Sequence, residues 1–232
     1  MKLRSDVVRK LHILKPSFHK VKESTMPNGI VFIDNWGFYT NNLFLVRARH
    51  SDRGTDFPIF FSLEKEELED IDNLEFSMQK RKGSQEILSD FPNFNDYHKY
   101  FFDIKEYSIH INRQELRNQL DSAFGRSERE RLLASLVCKI DFNRVNCKIM
   151  RISKRDRNKE FEFEIDRVQT SRIVGDSGDG GCFAVNCSML HDILKVFDTD
   201  IIKICFNTGM PVVITDEKSI HVALAQSVPK YM

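Results

Sequence analysis

The chain lacks long apolar runs, an excess charge of either sign and any recognisable catalytic motif. No stretch approaches the roughly 20 consecutive apolar residues that span a bilayer, and no basic segment followed by an apolar one opens the sequence. These absences argue against a helical membrane protein and give the expectation of a cytoplasmic one. Lysine and arginine number 35 against 34 acidic residues, a net charge of +1 over 232 residues. With about two fifths hydrophobic residues, that balance places the chain among soluble globular proteins of one or two domains. There is no Gly-x-Ser-x-Gly elbow, no His-Glu-x-x-His, no phosphate-binding loop and no dinucleotide fingerprint, so neither an enzyme nor a cofactor is expected. The seven histidines are scattered, and a lone one such as His110 or His191 is more often structural than catalytic.

Cysteine is sparse and odd in number: Cys138, Cys147, Cys182, Cys187 and Cys205. Most lie beside Val, Ile and Phe, which fits reduced, buried thiols. Cys182, Cys187 and His191 form a Cys-x4-Cys-x3-His spacing, but a structural zinc site usually shows a second paired knuckle, so no metal is expected.

What is present is periodicity. In the stretch 183–232, Met189, Leu190, Ile193, Leu194 and Phe197 share one side of a helical wheel and Ser188, His191, Asp192 and Lys195 the other, which predicts a helix lying on a sheet. After Asp198 the period falls to two. Ile202 to Phe206, Val212 to Ile214 and His221 to Ala225 read as antiparallel strands separated by Asn207-Thr208-Gly209 and Asp216-Glu217-Lys218.

Earlier in the chain, 1–14 reads as an amphipathic helix with Leu3, Val7, Leu11 and Leu14 buried. Through Lys22 this is the most basic stretch. It is either a solvated face or a surface that meets phosphates without reading sequence. Strands are predicted at 29–35, 38–39, 42–49 and 57–61, with Asn-Trp-Gly as punctuation, then an acidic helix over 63–71 and strands at 74–80 and 85–88. Pro92 and several Asn and Asp mark a linker. The expected organisation is an abbreviated domain over 1–88, a linker over 89–99 and a second domain over 100–232.

Beyond the linker, a strand over 104–111 leads through Asn112, a natural N-cap, into a helix over 113–124 stopped near Gly125. Strands follow at about 133–142, 145–153 and 160–168, the last with the clear alternation Phe161-Glu162-Phe163-Glu164-Ile165. Strand, helix and three strands thus occur twice, an internal repeat. One such unit cannot cover its own core, whereas two together can. The fold class is α+β, with duplicated βαβββ units and helices on one face of antiparallel sheets. The connection 174–181 is rich in Gly and Asp, but a strand follows it and no Lys-Ser/Thr or EF-hand spacing is present, so it reads as a flexible connection.

The run 185–232 resembles the closing unit of the bacterial sliding-clamp family, the beta subunit of DNA polymerase III. Asn186, Met189, Asp192 and Leu194 match its last helix, and Val228-Pro229-Lys230-Tyr231-Met232 its hydrophobic tail. Asp90-Phe91-Pro92-Asn93-Phe94-Asn95-Asp96-Tyr97 is similar to the segments that join its domains. The resemblance implies a DNA-clamp-like fold and a processivity factor that encircles double-stranded DNA independently of sequence. Six domains close such a ring, so a two-domain chain implies a homotrimer. It further implies channel residues Lys2, Arg9, His12, Lys15, Arg113, Arg117 and Lys195. A pocket for polymerase and clamp-loader peptides is implied at Pro92, Asn186, Met189, Met210, Val228 and Pro229. The alternative is a clamp-fold interaction module of a mobile element that does not encircle DNA, consistent with the acidic helix and near-zero charge. A third, weaker reading is an enzyme using Asp176, Asp179 and His191.

Overall fold

The computed structural model describes residues 29–33, 35–40, 44–49, 59–62, 107–124, 128–140, 144–151, 161–166, 168, 181–207 and 210–227. The helices expected at 1–14 and 63–71, the strands at 74–80 and 85–88, the linker 89–99 and most of the Gly-rich connection lie outside these residues. The chain divides into two compact units, Met1–Asp103 with Ser219–Val222, and Ile104–Lys218 with Ala223–Met232.

The first unit contains β1 (Gly29–Ile33), β2 (Trp36–Thr40), β3 (Phe44–Arg49) and β4 (Ile59–Ser62), antiparallel in the order β4-β1-β2-β3. Trp36 and Gly37 belong to β2, where the sequence suggested a turn. Trp36 pairs with both Ile33 and Arg49, so it opens the strand directly after a two-residue connection. The Arg47 guanidinium lies 4.5 Å from the centre of the Trp36 ring, and His221 meets the same ring edge-on at 5.5 Å. Stacking on the indole compensates part of the desolvation that pulls the Arg47 pKa down to about 10.

The second unit carries the repeat. Its first copy is β5 (Tyr107–Asn112), α1 (Arg113–Phe124), a short α2 (Glu128–Leu132), β6 (Ala134–Ile140), β7 (Arg144–Arg151) and β8 (Phe161–Asp166). Its second is β9 (Cys182–Asn186), α3 (Cys187–Leu194), β10 (Ile201–Phe206), β11 (Val212–Thr215) and β12 (Ile220–Leu224), the last of which is counted with the first unit as far as Val222. The copies exchange their first strands. β9 pairs with β6, in a sheet ordered β8-β7-β6-β9, while β5 pairs with β10, next to β11. Each copy therefore completes the other's sheet, which is how two units that cannot cover themselves share one core. The α+β class and antiparallel sheets agree with the sequence reading; α2 was not foreseen.

Period-two burial explains the sheets. Ala134, Leu136, Cys138 and Ile140 on β6 are buried, as are Val145, Cys147 and Ile149 on β7, while Ser135, Val137 and Lys139 face outward. The interior holds a void of only about 10 Å³, lined by side chains including Ile109, Leu136, Val145, Phe183, Leu190 and Ile204. That is no more than one water's worth of apolar space, so this core is closely packed. At its end Phe206 stacks on Tyr107 at 5.2 Å and meets Phe183 at 4.8 Å. Gly181 sits against this cluster, where a Cβ would come within 2.9 Å of Phe206 and 3.0 Å of Tyr107, so glycine is required by close approach.

Candidate nucleic-acid interface

Among the described residues, the helices of the second unit carry Arg113, Arg117 and Met189, with Asn186 and Lys195 at the two ends of α3. Asn112 caps α1 as expected: its Oδ1 accepts from the Glu115 N–H at 2.9 Å. Leu116, Leu120 and Phe124 are buried at four-residue spacing, leaving Gln114, Asn118 and Ser122 exposed on the far side. Asn186 caps α3 in the same manner, accepting from Ser188 and Met189 N–H groups at 3.0 and 3.1 Å.

Sequence reasoning placed Ser188 and His191 on the solvent side of α3. Both are buried, at 3% and 5% exposure. The cause is α2, which packs on α3 together with α1 and covers the side the wheel leaves polar. His191 Nε2 lies 2.9 Å from Asp121 Oδ1 of α1, and Arg131 Nη1 of α2 donates to that same oxygen at 3.3 Å. One carboxylate thus holds a histidine and an arginine, and three helices meet at a polar joint. No metal-ligating group of three or more His, Cys, Asp or Glu occurs among the described residues. The His191 ring is thereby packed at a helix junction.

The candidate cations are placed as follows. The Arg113 guanidinium donates from Nε to the Thr199 carbonyl at 2.9 Å and from Nη1 to the Leu194 carbonyl at 3.1 Å. Leu194 ends α3, so one of these bonds satisfies an orphan carbonyl at the negative end of a helix. Arg117 is about one third exposed, with its Nε 3.9 Å from Asp121 and without a hydrogen-bond partner among the described residues. Lys195, just past α3, donates to Asp192 Oδ1 at 2.9 Å and keeps about a third of its side chain exposed. Lys2, Arg9, His12 and Lys15 lie outside the described residues.

Of the expected peptide pocket, Pro92, Val228 and Pro229 lie outside the described residues. Asn186 is engaged twice, as the cap of α3 and as donor from Nδ2 to the Leu132 carbonyl at 2.9 Å. Met189 is buried at 8% exposure, and Met210 is half-buried in the turn between β10 and β11. That turn is fixed by Gln226, whose Nε2 donates to the Asn207 and Met210 carbonyls.

Two features escaped sequence reasoning. The helix α2 brings Arg129 and Arg131, and leaves Leu132 and the following Leu133 38% and 44% exposed. Its signal is Ser127-Glu128-Arg129-Glu130, the Ser-x-x-Glu spacing of a capping box. The second is a surface cluster in which Glu217 accepts from Lys203 at 2.7 Å and faces His110 Nε2 at 3.2 Å. These contacts hold the Glu217 carboxyl below its ordinary value, the Lys203 hydrogen bond being the largest cause. Lys203 is correspondingly raised. No sequence signal brings these three together, because the pairing register of β5 with β10 does so.

Comparison with known proteins gives a fold. No protein-family model and no curated protein sequence matches the chain. Solved structures do. The chain is similar to the beta subunit of DNA polymerase from Streptococcus pyogenes, with a TM-score of 0.66 and 13% identity over 97% of this chain and 64% of that one. The DNA polymerase III beta subunit of Thermotoga maritima gives 0.62 and 15% over the same shares. A sliding clamp from Pseudomonas aeruginosa bound to griselimycin gives 0.60 and 11% over 87% and 57%. The chain has the clamp-like α+β fold and spans about 64% of the length of the first such structures. No helix among the described residues is long and apolar enough to cross a membrane.

Proposed function

We propose that the chain is a non-enzymatic DNA sliding clamp: a processivity factor that closes as a homotrimer around duplex DNA and carries polymerase or loader peptides near its C-terminus. The observation that carries this reading is the interlocked pair of βαβββ units with their helices on one layer, the architecture shared with clamp structures. A ring holds DNA by enclosure, so its contacts are weak, cationic and blind to sequence. Arg117 and Lys195 fit that demand, each partly exposed beside a single carboxylate. Arg113 fits it less well, since two carbonyls hold its guanidinium. Lys2, Arg9, His12 and Lys15 supply the remaining charge in this proposal, and Pro92, Asn186, Met189, Met210, Val228 and Pro229 the peptide pocket. In this proposal the edge for assembly is β8, which ends its sheet among the described residues and whose acidic side chains are neutralised from β7 by Arg144 and Lys148. Such an edge accepts a further strand without like-charge repulsion.

A second reading, a clamp-fold interaction module of a mobile element that does not encircle DNA, is favoured by the ion pairing of the helix layer. Arg131, Arg117 and Lys195 each have a carboxylate within 4 Å. One experiment separates the two. Native mass by light scattering is combined with retention on closed circular DNA before and after linearisation. A trimer of the 27.2 kDa chain, retained on circles and lost from ends, supports the ring. A monomer at every concentration with equal retention on both forms supports the module.

A further inference from the structure

The buried cysteines play no part in the clamp reading, and two of them are paired by the sheet. Cys138 on β6 and Cys147 on β7 are direct partners in the antiparallel register, with their sulfur atoms 3.4 Å apart and both side chains buried. The type of pairing can be worked out from a neighbour. The Ile140 N–H donates to the Gly181 carbonyl, on the β9 side of β6. Backbone groups alternate sides along a strand, so Cys138, two residues earlier, also turns its N–H and C=O toward β9. Facing β7, Cys138 and Cys147 are therefore a non-hydrogen-bonded pair, the position at which antiparallel Cα atoms approach to about 4.5 Å. That separation is within the range a disulfide spans, and the side chains already lie on one face. Sulfurs at this distance need only small torsional changes to bond, with no shift of register.

We infer that Cys138 and Cys147 form a reversible dithiol–disulfide site, in which oxidation staples β6 to β7 inside the second unit. The oxidant class is a low-molecular-weight disulfide. One protein thiolate attacks it, releasing one small thiolate and leaving a mixed disulfide. The second protein thiolate then displaces the other small thiolate. The protein loses two hydrogens and forms one S–S bond, and the small disulfide is reduced to two thiols. Burial raises the Cys138 thiol well above its ordinary value, so exchange proceeds through local opening and is slow, on a scale of minutes to hours. Cys187 is also buried and is pushed up to about 12, and Cys182, exposed on the outer face, has no sulfur facing it across β6 because its register partner is Lys139. The geometry therefore favours Cys138 and Cys147, whose sulfur atoms the register already brings to 3.4 Å.

The test is incubation of the full chain with oxidised glutathione, followed by intact mass and by peptide mapping after alkylation of the remaining thiols. The expected product is a species about 2 Da lighter than the reduced chain, the mass of two hydrogens lost per disulfide. Its Cys138–Cys147 cross-link should be reversed by dithiothreitol, and its urea midpoint should lie above that of the reduced chain. Cys182→Ser forms the same bond, whereas Cys147→Ala loses it. Should Cys147→Ala fold poorly, mapping of the wild-type protein decides alone. Glutathione found only as an adduct on Cys182, or a disulfide joining any other pair while Cys138 and Cys147 remain alkylatable, overturns the assignment.

Discussion

Aligned on their capping asparagines, α1 and α3 are the same helix in two environments. Asn112 corresponds to Asn186, Leu116 to Leu190 and Leu120 to Leu194, and these leucines are buried in both. The other positions diverge. Gln114, Arg117 and Gln119 of α1 remain in contact with solvent, whereas their counterparts Ser188, His191 and Ile193 are buried. The two leucines per helix that define the repeat fix the side facing the sheets. What differs is a second cover, because the connection after α1 contains α2 and the connection after α3 is a short turn into β10. A helix with one covered side tolerates charge on the other; a helix covered on both must neutralise every polar group it carries. His191 meets that demand through Asp121 and Arg131.

The largest test of this contrast is truncation at the corresponding positions Arg117 and His191. His191→Ala removes a buried ring and leaves Asp121 and Arg131 without their neighbour, which should cost about 3 kcal/mol. Arg117→Ala removes a partly exposed side chain with a long contact to one carboxylate and should stay within about 0.5 kcal/mol. Urea unfolding of both variants measures the difference. Equal losses would mean that the cover provided by α2 does not distinguish the helices.

A smaller effect concerns the link between the two helices. Arg113→Met keeps the length of the side chain but removes both donors, leaving the Leu194 and Thr199 carbonyls short of a partner. The expected loss is about 2 kcal/mol, in the range for hydrogen bonds made by a charged group. Hydrogen exchange should show where it falls. Amides in the last turn of α3 should exchange faster, while those of β6 and β7 keep their protection. Uniform acceleration across the unit would indicate global destabilisation rather than release of the α3 terminus.

The sequence showed α1 to its last residue because cap, apolar spacing and the following Gly125 all agree. It showed β7, β8, β10, β11 and β12 to within one or two residues, because their alternation is sustained and turn residues separate them. It missed α2 because five helical residues offer too little periodicity to stand out beside β6, even with a capping-box spacing ahead of them. That omission propagated: without α2, the polar residues of α3 read as solvent-facing. The polar joint and the cysteine pair depend on packing and register, which no local pattern records. For the candidate interface, identities were legible and engagement was not. Nothing in the spacing of Arg113 announces that its guanidinium is taken up by carbonyls 81 and 86 residues further along the chain.

The smallest effect is a pH dependence. Glu115 occupies the position of Met189 in the repeat, and its carboxyl is raised above its ordinary value, first by burial and then by the charge of Asp166. A raised carboxyl means that the folded state binds the proton more tightly than the unfolded one. Glu115 therefore detracts from stability at neutral pH. That penalty is relieved as pH falls from above the folded value through the unfolded one. Solvent reaches the group, so the effect should remain below about 0.5 kcal/mol. Glu217 acts in the opposite sense: its lowered carboxyl contributes stability above the unfolded value, lost as pH falls through the folded one. In the wild-type protein the two partly cancel, so the informative quantity is the difference between wild type and Glu115→Gln across pH 3 to 7, a range bracketing ordinary carboxyl values near 4. The variant should gain stability relative to wild type as pH rises, and a flat difference would show that Glu115 is as well solvated in the folded helix as in the unfolded chain.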